Sequence, residues 1–303
     1  MKKTENDCKT KAAFIAIVGR PNVGKSSILN KLLGQKVAIV SGRPQTTRTR
    51  ITGVLTQDGV QLVFTDTPGF HKPRSKLGER MVKAVGDTIG GVDAALFVTE
   101  PYGEVRPTEI ELLEKLRSQG MPVVLAINKI DNVKKKEELM LRIAELSRLF
   151  EFNAVVPVSA LHGDGMSELY NELVSLAKPS EFFFPEDMIT DQPERVLVSE
   201  IIREKLLYRL NDEVPHVIAV GIEKLRERDT GDIIDVEAII YCERESHKGI
   251  IIGKHGDTLK EVSTNARKEL EYIFDCKIFL TCRVKVKEDW RNREGIIHNF
   301  GLD

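Results

Sequence analysis

No apolar run in this chain approaches the ~18–20 residues that cross a bilayer, so no membrane-spanning helix is expected. Cysteine is scarce. The four present, Cys8, Cys242, Cys276 and Cys282, form no C-x-x-C pair and no Cys/His cluster with zinc spacing. A disulfide or metal framework is therefore not expected, and the thiols are read as reduced and mostly buried. A dominant charge is also lacking. Lys and Arg number 45 against 46 Asp and Glu, and the net charge of −1 provides no global basic field for nucleic acid or an anionic membrane. The stretch through Phe14 has Lys2 and Lys3 but no apolar core and no small-residue cleavage site, which argues against a secretory signal and predicts a cytosolic location. Internal repeats and low-complexity tracts are absent. What is present, 41% hydrophobic and 30% charged residues over 303 positions, describes a globular protein with room for about two domains.

The first half alternates strand-like and helix-like segments. Residues 13–18 (AFIAIV) form a short apolar run ending at a glycine, as a buried parallel strand would. Residues 25–33 read as a helix with Gly34 at its C-terminal cap. ITGVLTQ and VQLVFTD flank Asp58-Gly59, a two-residue hairpin signal. Further apolar runs lie at 93–98, 123–128 and 155–158, separated by helical patterns at 108–119, 135–150 and 165–177. This order predicts an α/β domain with a mostly parallel sheet and a ligand site at the carboxyl ends of the strands. Around 178–194 the periodicity fades and prolines gather, which reads as a linker whose Phe182, Phe183 and Phe184 pack on a domain surface. The remainder is α+β: a helix near 195–210, a strand pair at 217–226 and 233–243 turning at 229–232, a helix, a Gly-x-x-Gly loop, a helix and a strand. The domains are drawn as 1–178, a linker 179–192, and 193–303.

Four motifs carry chemistry. GRPNVGKS follows a strand and opens a helix, the setting a P-loop requires. Gly19, Asn22, Val23, Gly24, Lys25, Ser26 and Ser27 would cradle phosphates, with Lys25 neutralising β/γ oxygens and Ser26 offering its hydroxyl to Mg²⁺. The helix N-terminus adds partial positive charge. DTPG ends the next apolar strand; Asp66 can bind Mg²⁺ directly or through water, and the Gly69 N–H can reach a γ-phosphate. NKID ends another strand. Guanine presents N1–H and an N2 amino group on one edge, and the Asp131 carboxylate can accept both. Adenine lacks that pair of donors, so Asp131 would be buried unpaired against it. Asn128 can brace the P-loop and meet the base edge, and Lys129 can lay its alkyl stem along the ring. Ser159 and Ala160 follow a fourth strand, where backbone N–H groups could meet guanine O6. An ATP-using kinase is disfavoured by Asp131.

In this order the motifs resemble the translation-factor-like GTPases, and in detail the bacterial Era GTPases. The likeness rests on GRPNVGKS, on QTTRTRI at 45–51, on DTPGFH at 66–71 and on the second half, and it covers nearly the whole chain. It implies a P-loop GTPase domain followed by a type II KH domain, with GTP or GDP and Mg²⁺ as ligands. By that likeness Thr47 is the threonine whose hydroxyl reaches Mg²⁺ when GTP is bound, with Thr46 as the competing candidate. Many small GTPases place a water-orienting glutamine after the DTPG glycine; Phe70 stands there and cannot polarise water. Asn22 by the same likeness helps hold K⁺ near the phosphates, against the simpler reading of an asparagine tolerated in a tight loop. His71 is given no role.

In IIIGKHG, Ile252, Gly253, Lys254, His255 and Gly256 form the loop with which a KH domain clamps single-stranded nucleotides. Charge speaks against it, since residues 193–303 hold 19 basic and 22 acidic side chains. Arg283, Lys285 and Lys287 share one strand face, and Arg291 and Arg293 form a second cluster. Trp290 is expected in a C-terminal helix, packing on the core. The resemblance implies a GTP-hydrolysing switch that binds the 3′ end of small-subunit ribosomal RNA during assembly of the small ribosomal subunit. The expected location is the cytoplasm, with peripheral contact at the inner face of the cell membrane. The alternative is a GTP-dependent scaffold whose second domain docks a protein or membrane surface without RNA.

Overall fold

The structure is a computed structural model that describes residues 9–300 and 302, except 44, 74 and 230. Cys8, the N-terminal residues 1–8 and Thr230 of the expected hairpin turn lie outside the described residues. By internal packing the chain divides into two units. One comprises Met1–Val40, Thr47–Pro73 and Gly78–Asp191; the other comprises Ser41–Thr46, Arg74–Leu77 and Gln192–Asp303.

The first half runs β1 (Lys11–Gly19), α1 (Lys25–Leu33), β2 (Ile51–Gln57), β3 (Val60–Asp66), α2 (Lys76–Ile89), β4 (Ala94–Thr99), α3 (Pro107–Gln119), β5 (Val123–Ile127), α4 (Lys136–Leu149), β6 (Ala154–Pro157), α5 (Met166–Ser175) and β7 (Lys178–Pro179). The sheet order is β2-β3-β1-β4-β5-β6, with β7 pairing antiparallel to the start of β1. All other pairings are parallel except the β2–β3 hairpin, which turns through Asp58 and Gly59 at positive φ.

Side-chain alternation explains the layering. Ile15 and Ile17 point to the face covered by Ile28 and Leu29 of α1 and Leu169 and Leu173 of α5. Ala16 and Val18 point to the other face, under Val85 and Ile89 of α2, Leu112 and Leu116 of α3 and Leu146 of α4. β4 and β5 are buried at every position, as central parallel strands covered on both faces must be. α2 has no counterpart among the expected helices, although Leu77, Met81, Val85 and Ile89 recur every four residues; Gly78 and Gly86 weaken the helical pattern.

The segment expected to be a linker is bound to the first unit. The Gln61 side chain is fully buried and its carboxamide brackets this segment, accepting from the N–H groups of Phe183 and Phe184 and donating to the Phe184 carbonyl. Phe183 meets the Phe14 ring edge-on at 4.8 Å, and Val54 N–H donates to the Ile189 carbonyl.

The second unit contains α6 (Glu194–Arg209), β8 (Ala219–Glu227), β9 (Ile233–Cys242), α7 (Glu245–Ile252), α8 (Asp257–Phe274), β10 (Lys277–Val286) and α9 (Glu294–Asn299). Its sheet order is β10-β9-β8, antiparallel for β8–β9 and parallel for β9–β10. Val198, Ile201 and Ile202 of α6 and Val262, Ala266 and Leu270 of α8 pack on the inward residues of β9, Val236, Ala238 and Ile240. Trp290 is fully buried as expected, but in a 3₁₀ turn ahead of α9, where its indole N–H donates to the Val217 carbonyl at 2.8 Å. Among the described cysteines, Cys242 is buried and Cys276 and Cys282 are half-buried, and burial raises all three thiol pKa values.

Candidate nucleotide site and nucleic-acid interface

Four loops meet at the carboxyl ends of β1, β3, β5 and β6. The chain leaves β1 toward β2–β3 on one side and then crosses to β4 on the other, which opens a crevice at the strand ends. Gly19 ends β1 and the P-loop curls into α1. Gly24 has φ 98°, and a Cβ there would lie 2.1 Å from Asn128 Nδ2, so the close approach of two motifs requires glycine.

Backbone bonds hold the DTPG segment to the P-loop. The Phe70 N–H donates to the Gly19 carbonyl at 3.0 Å, and Gly69 lies against Pro21. Thr67 Oγ1 donates to the Ile17 carbonyl at 2.8 Å. The Phe70 ring is buried in the apolar layer with Val85 and Leu112, so it faces away from solvent as well as lacking a polar atom. The His71 Nδ1 is 2.7 Å from the Gly69 carbonyl.

The metal-binding candidates converge. Ser26 Oγ donates to Asp66 Oδ2 at 2.5 Å and lies 2.9 Å from Thr47 Oγ1, which is 3.5 Å from the same carboxylate oxygen. Thr46 is engaged elsewhere, with its hydroxyl at Ser41 Oγ and the Arg43 carbonyl. Asp66 Oδ1 is buried without a hydrogen bond of normal geometry. The nearby Thr67 N–H also favours the ionised carboxylate, although its aligned hydrogen bond goes to the Ile17 carbonyl at 3.3 Å. Burial pushes the Asp66 pKa up to about 6, with Lys25 and the two hydroxyls pulling the other way. Burial likewise lowers Lys25 to about 8, partly offset by Asp66, and its ammonium donates to the carbonyls of Gly19 at 3.3 Å and Arg20 at 3.0 Å. Two hydroxyls and one carboxylate, whose Oδ1 is buried and unpartnered, suit a hard divalent cation that completes its shell with phosphate and water, which is how Mg²⁺ binds.

The base-reading candidates border a cleft of about 640 Å³ lined by Gly24, Ser27, Asn128, Lys129, Asp131 and Ala160 among others. That volume lies within the range of small-ligand sites, roughly 300–1,000 Å³. Ser159 Oγ donates to Asp131 Oδ1 at 2.6 Å and fixes the carboxylate. Asn128 uses both ends of its carboxamide on backbone, donating to the Val23 carbonyl at 2.8 Å and accepting from the Ala160 N–H at 3.0 Å. The Ala160 N–H expected to face the base is thus turned to Asn128 here. Lys129 Nζ donates to the Asn22 carbonyl at 2.6 Å and to Glu100 Oε1 at 2.6 Å. Asn22 and Lys129 both have left-handed backbones, with φ 65° and 68°. Glu100, Arg20 and Glu109, which surround this pair, were not singled out from the sequence; an acid just past a buried strand has no local signature.

In the second unit the Gly-x-x-Gly loop joins α7 to α8. Lys254 and His255 are exposed, Ile252 is half-buried and Ile251 is fully buried beneath them. Gly253 has φ 76°, and a Cβ there would lie 2.3 Å from Thr258 Oγ1. Gly256, at φ 84°, faces open space. The basic clusters are partly neutralised: Arg291 forms two 2.9 Å bonds with Glu243, and Lys285 lies 3.6 Å from Glu223.

A family model described as 50S ribosome-binding GTPase matches residues 14–129, and one described as KH domain matches residues 213–291. GTPase Era of Clostridioides difficile is 48% identical over 97% of this chain and 99% of its own length. The chain belongs to the Era GTPase family. GTPase Era of Alkaliphilus metalliredigens is 46% identical over 97% of this chain and 99% of its own. A crystal structure of an Aquifex aeolicus Era variant bound to GDP and AlF₄⁻ superposes with a TM-score of 0.93 at 38% identity, covering 97% of this chain and 99% of that one. A second, of Era with MgGDPNP and nucleotides 1506–1542 of 16S ribosomal RNA, gives the same score, identity and coverage. The Era-family chain is a P-loop GTPase with a C-terminal KH domain, and the RNA-free scaffold is not favoured.

Proposed function

We propose that this chain hydrolyses GTP as a switch on the 3′ end of small-subunit ribosomal RNA and acts in the cytoplasm in assembly of the small ribosomal subunit. The observation that carries the reading is the full-length match to an Era structure holding MgGDPNP together with nucleotides 1506–1542 of 16S ribosomal RNA. Lys25 and the P-loop N–H groups bind the phosphates, and the Gly69 N–H meets the γ-phosphate. Ser26, Thr47 and Asp66 hold Mg²⁺, which neutralises charge on the phosphate oxygens as the terminal bond breaks. Asp131, oriented by Ser159, reads the guanine edge. Asn128 locks the P-loop to the Ser159-Ala160 loop. Phe70 is turned into the core, so the attacking water is oriented by another group. In the KH unit, the exposed Lys254 and His255 and the two glycines admit the RNA backbone, and Ile252 borders the groove for the bases.

The left-handed backbone of Asn22 is one asparagine tolerates well, so loop geometry alone accounts for that residue. A K⁺ role at Asn22 is separable by kinetics: it requires K⁺ in place of Na⁺ at fixed ionic strength to raise the GTPase rate and Asn22→Ala to erase the difference, and equal rates in the two salts leave the loop-geometry reading. The proposal leaves out membrane contact, since none of the geometry above argues for it. Its test is the affinity of a 3′-terminal 16S RNA segment, measured with GDP and with a non-hydrolysable GTP analogue at one salt concentration. Tighter binding in the GTP state by about 5–150-fold is expected, with RNA tightening GTP binding by the same factor. Equal affinities would mean two functional domains with no switch between them.

A further inference from the structure

A buried polar group links α3, α4 and the P-loop. Glu109 on α3 is fully buried. Its Oε1 accepts from Thr99 Oγ1 at 2.7 Å and lies 3.4 Å from Arg142 Nη2, while its Oε2 accepts from the Arg106 N–H at 3.0 Å. Arg20 of the P-loop reaches the same carboxylate, with Nε 3.2 Å from Oε2 in an ion pair that lacks hydrogen-bond alignment. Arg20 also lies 3.6 Å from Glu100 Oε2, and Arg142 Nε donates to the Glu100 carbonyl at 3.3 Å. Buried charges of this kind contribute little net stability, because desolvation offsets their attraction. They do fix the geometry of what they touch.

What they fix is Glu100. Its Oε1 holds the Lys129 ammonium, which also donates to the Asn22 carbonyl, and its Oε2 faces Arg20 two residues earlier in the P-loop. The result is a closed loop: P-loop carbonyl, Lys129, Glu100, Arg20 and back through the P-loop chain. It anchors the tip of a side chain that lines the cleft, and it holds Lys129 in a left-handed conformation that long side chains rarely adopt.

We propose that Glu100 is a positioning residue for guanine binding: by pinning the Lys129 ammonium it lays the lysine stem where the base stacks, and the buried Arg142–Glu109–Arg20 group keeps Glu100 in place. This rests on the reading of Lys129 as a base contact. Glu100→Gln keeps the shape and removes the charge, so the charge-assisted bond to Lys129 weakens while the Asn22 bond survives.

The test is the dissociation rate of a fluorescent GDP analogue from the full-length protein carrying Glu100→Gln, Lys129→Met, or both. Glu100→Gln should speed dissociation about tenfold, equivalent to ~1.4 kcal/mol. Lys129→Met should speed it further, and the double variant should be no faster than Lys129→Met alone, because Glu100 acts through Lys129. Glu100→Asp, which keeps the charge but falls short of the ammonium, should fall between wild type and Glu100→Gln; it carries the test should the Gln variant misfold. Multiplicative effects in the double variant, or no effect of either Glu100 substitution, would overturn the proposal. If Lys129→Met alone left dissociation unchanged, the base-contact reading would fall with it; if only the Glu100 variants were silent, that reading would stand and this inference alone would fail.

Discussion

Asn128→Ala probes the bracing role of Asn128 through the stability of the ligand-free protein, where no base is present. The side chain is 2% exposed and each end of its carboxamide binds backbone, the Val23 carbonyl at 2.8 Å and the Ala160 N–H at 3.0 Å. Truncation leaves both groups without partners. An orphaned buried backbone group costs about 1–3 kcal/mol. Val23 is fully buried, whereas Ala160 is half-buried and more open to water, so most of the cost falls on the Val23 carbonyl. Together they come to about 2–4 kcal/mol. In a domain of this size that is a fall of roughly 5–15 °C in the melting temperature of the ligand-free protein. The P-loop loses its tie to the base loop in the same step, so GDP should also dissociate faster. Asn128→Asp sharpens the test: it can still accept from Ala160 but sets a carboxylate against the Val23 carbonyl, and should be the worse variant at the P-loop. Differential scanning fluorimetry and stopped-flow release of a fluorescent GDP measure both effects. An Asn128→Ala protein with unchanged melting temperature and unchanged GDP release would refute the reasoning.

Other outcomes follow from the same geometry. Lys25→Ala should severely weaken GDP binding yet cost little ligand-free stability, because burial already disfavours the charged amine; an affinity equal to wild type in a fluorescence titration would rule out the phosphate assignment. Asp66 has a folded-state pKa raised to about 6 from 3.8, so the folded protein holds a proton that the unfolded chain releases. Stability from this group is therefore lost as pH rises through the interval between the two values, by up to about 3 kcal/mol. Asp66→Asn should raise the neutral-pH melting temperature of the ligand-free protein while abolishing Mg²⁺-dependent hydrolysis. In the wild type, apparent Mg²⁺ affinity should begin to fall below pH 6, where a proton competes for the carboxylate; affinity held constant down to pH 4.5 would contradict the burial argument. In the KH loop, Gly256→Asp bears the strain of a left-handed backbone but meets no other atom, and should weaken RNA binding at a modest cost in stability, whereas Gly253→Asp adds a clash with Thr258 to the same strain and should destabilise the unit more. Equal melting temperatures for the two would count against the described loop.

The nucleotide motifs were legible because each is local: a strand end, a turn and a helix start lie within a few residues, and their chemistry follows from spacing. The β2–β3 hairpin was legible for the same reason, in the residues Asp58 and Gly59. What could not be read depends on partners far apart in sequence. Thr46 and Thr47 are alike in a polar loop, and only the fold brings one of them to Ser26 and Asp66. Gln61 looks like an ordinary strand glutamine until residues more than 120 positions later return to it. Glu109 resembles a helix-capping acid, which it is, since it accepts from the Arg106 N–H; its ion pairs with Arg142 and Arg20 appear only when α4 and the P-loop converge. Trp290 shows the complementary case, with burial foreseen from its chemistry and the 3₁₀ turn that carries it not foreseen.

The central claim is that this fold reads guanine through Asp131, and Asp131→Asn tests it most directly. Ser159 Oγ donates to Asp131 Oδ1, so the substituted amide is expected to keep its oxygen toward Ser159 and to present its NH₂ to the base. Xanthine carries a carbonyl where guanine carries its amino group, which matches the new donor. The measurement is kcat/KM for GTP and for XTP in the wild-type and Asp131→Asn proteins. The account predicts that preference passes from GTP in the wild type to XTP in the variant. A variant that still prefers GTP by the original margin would contradict it.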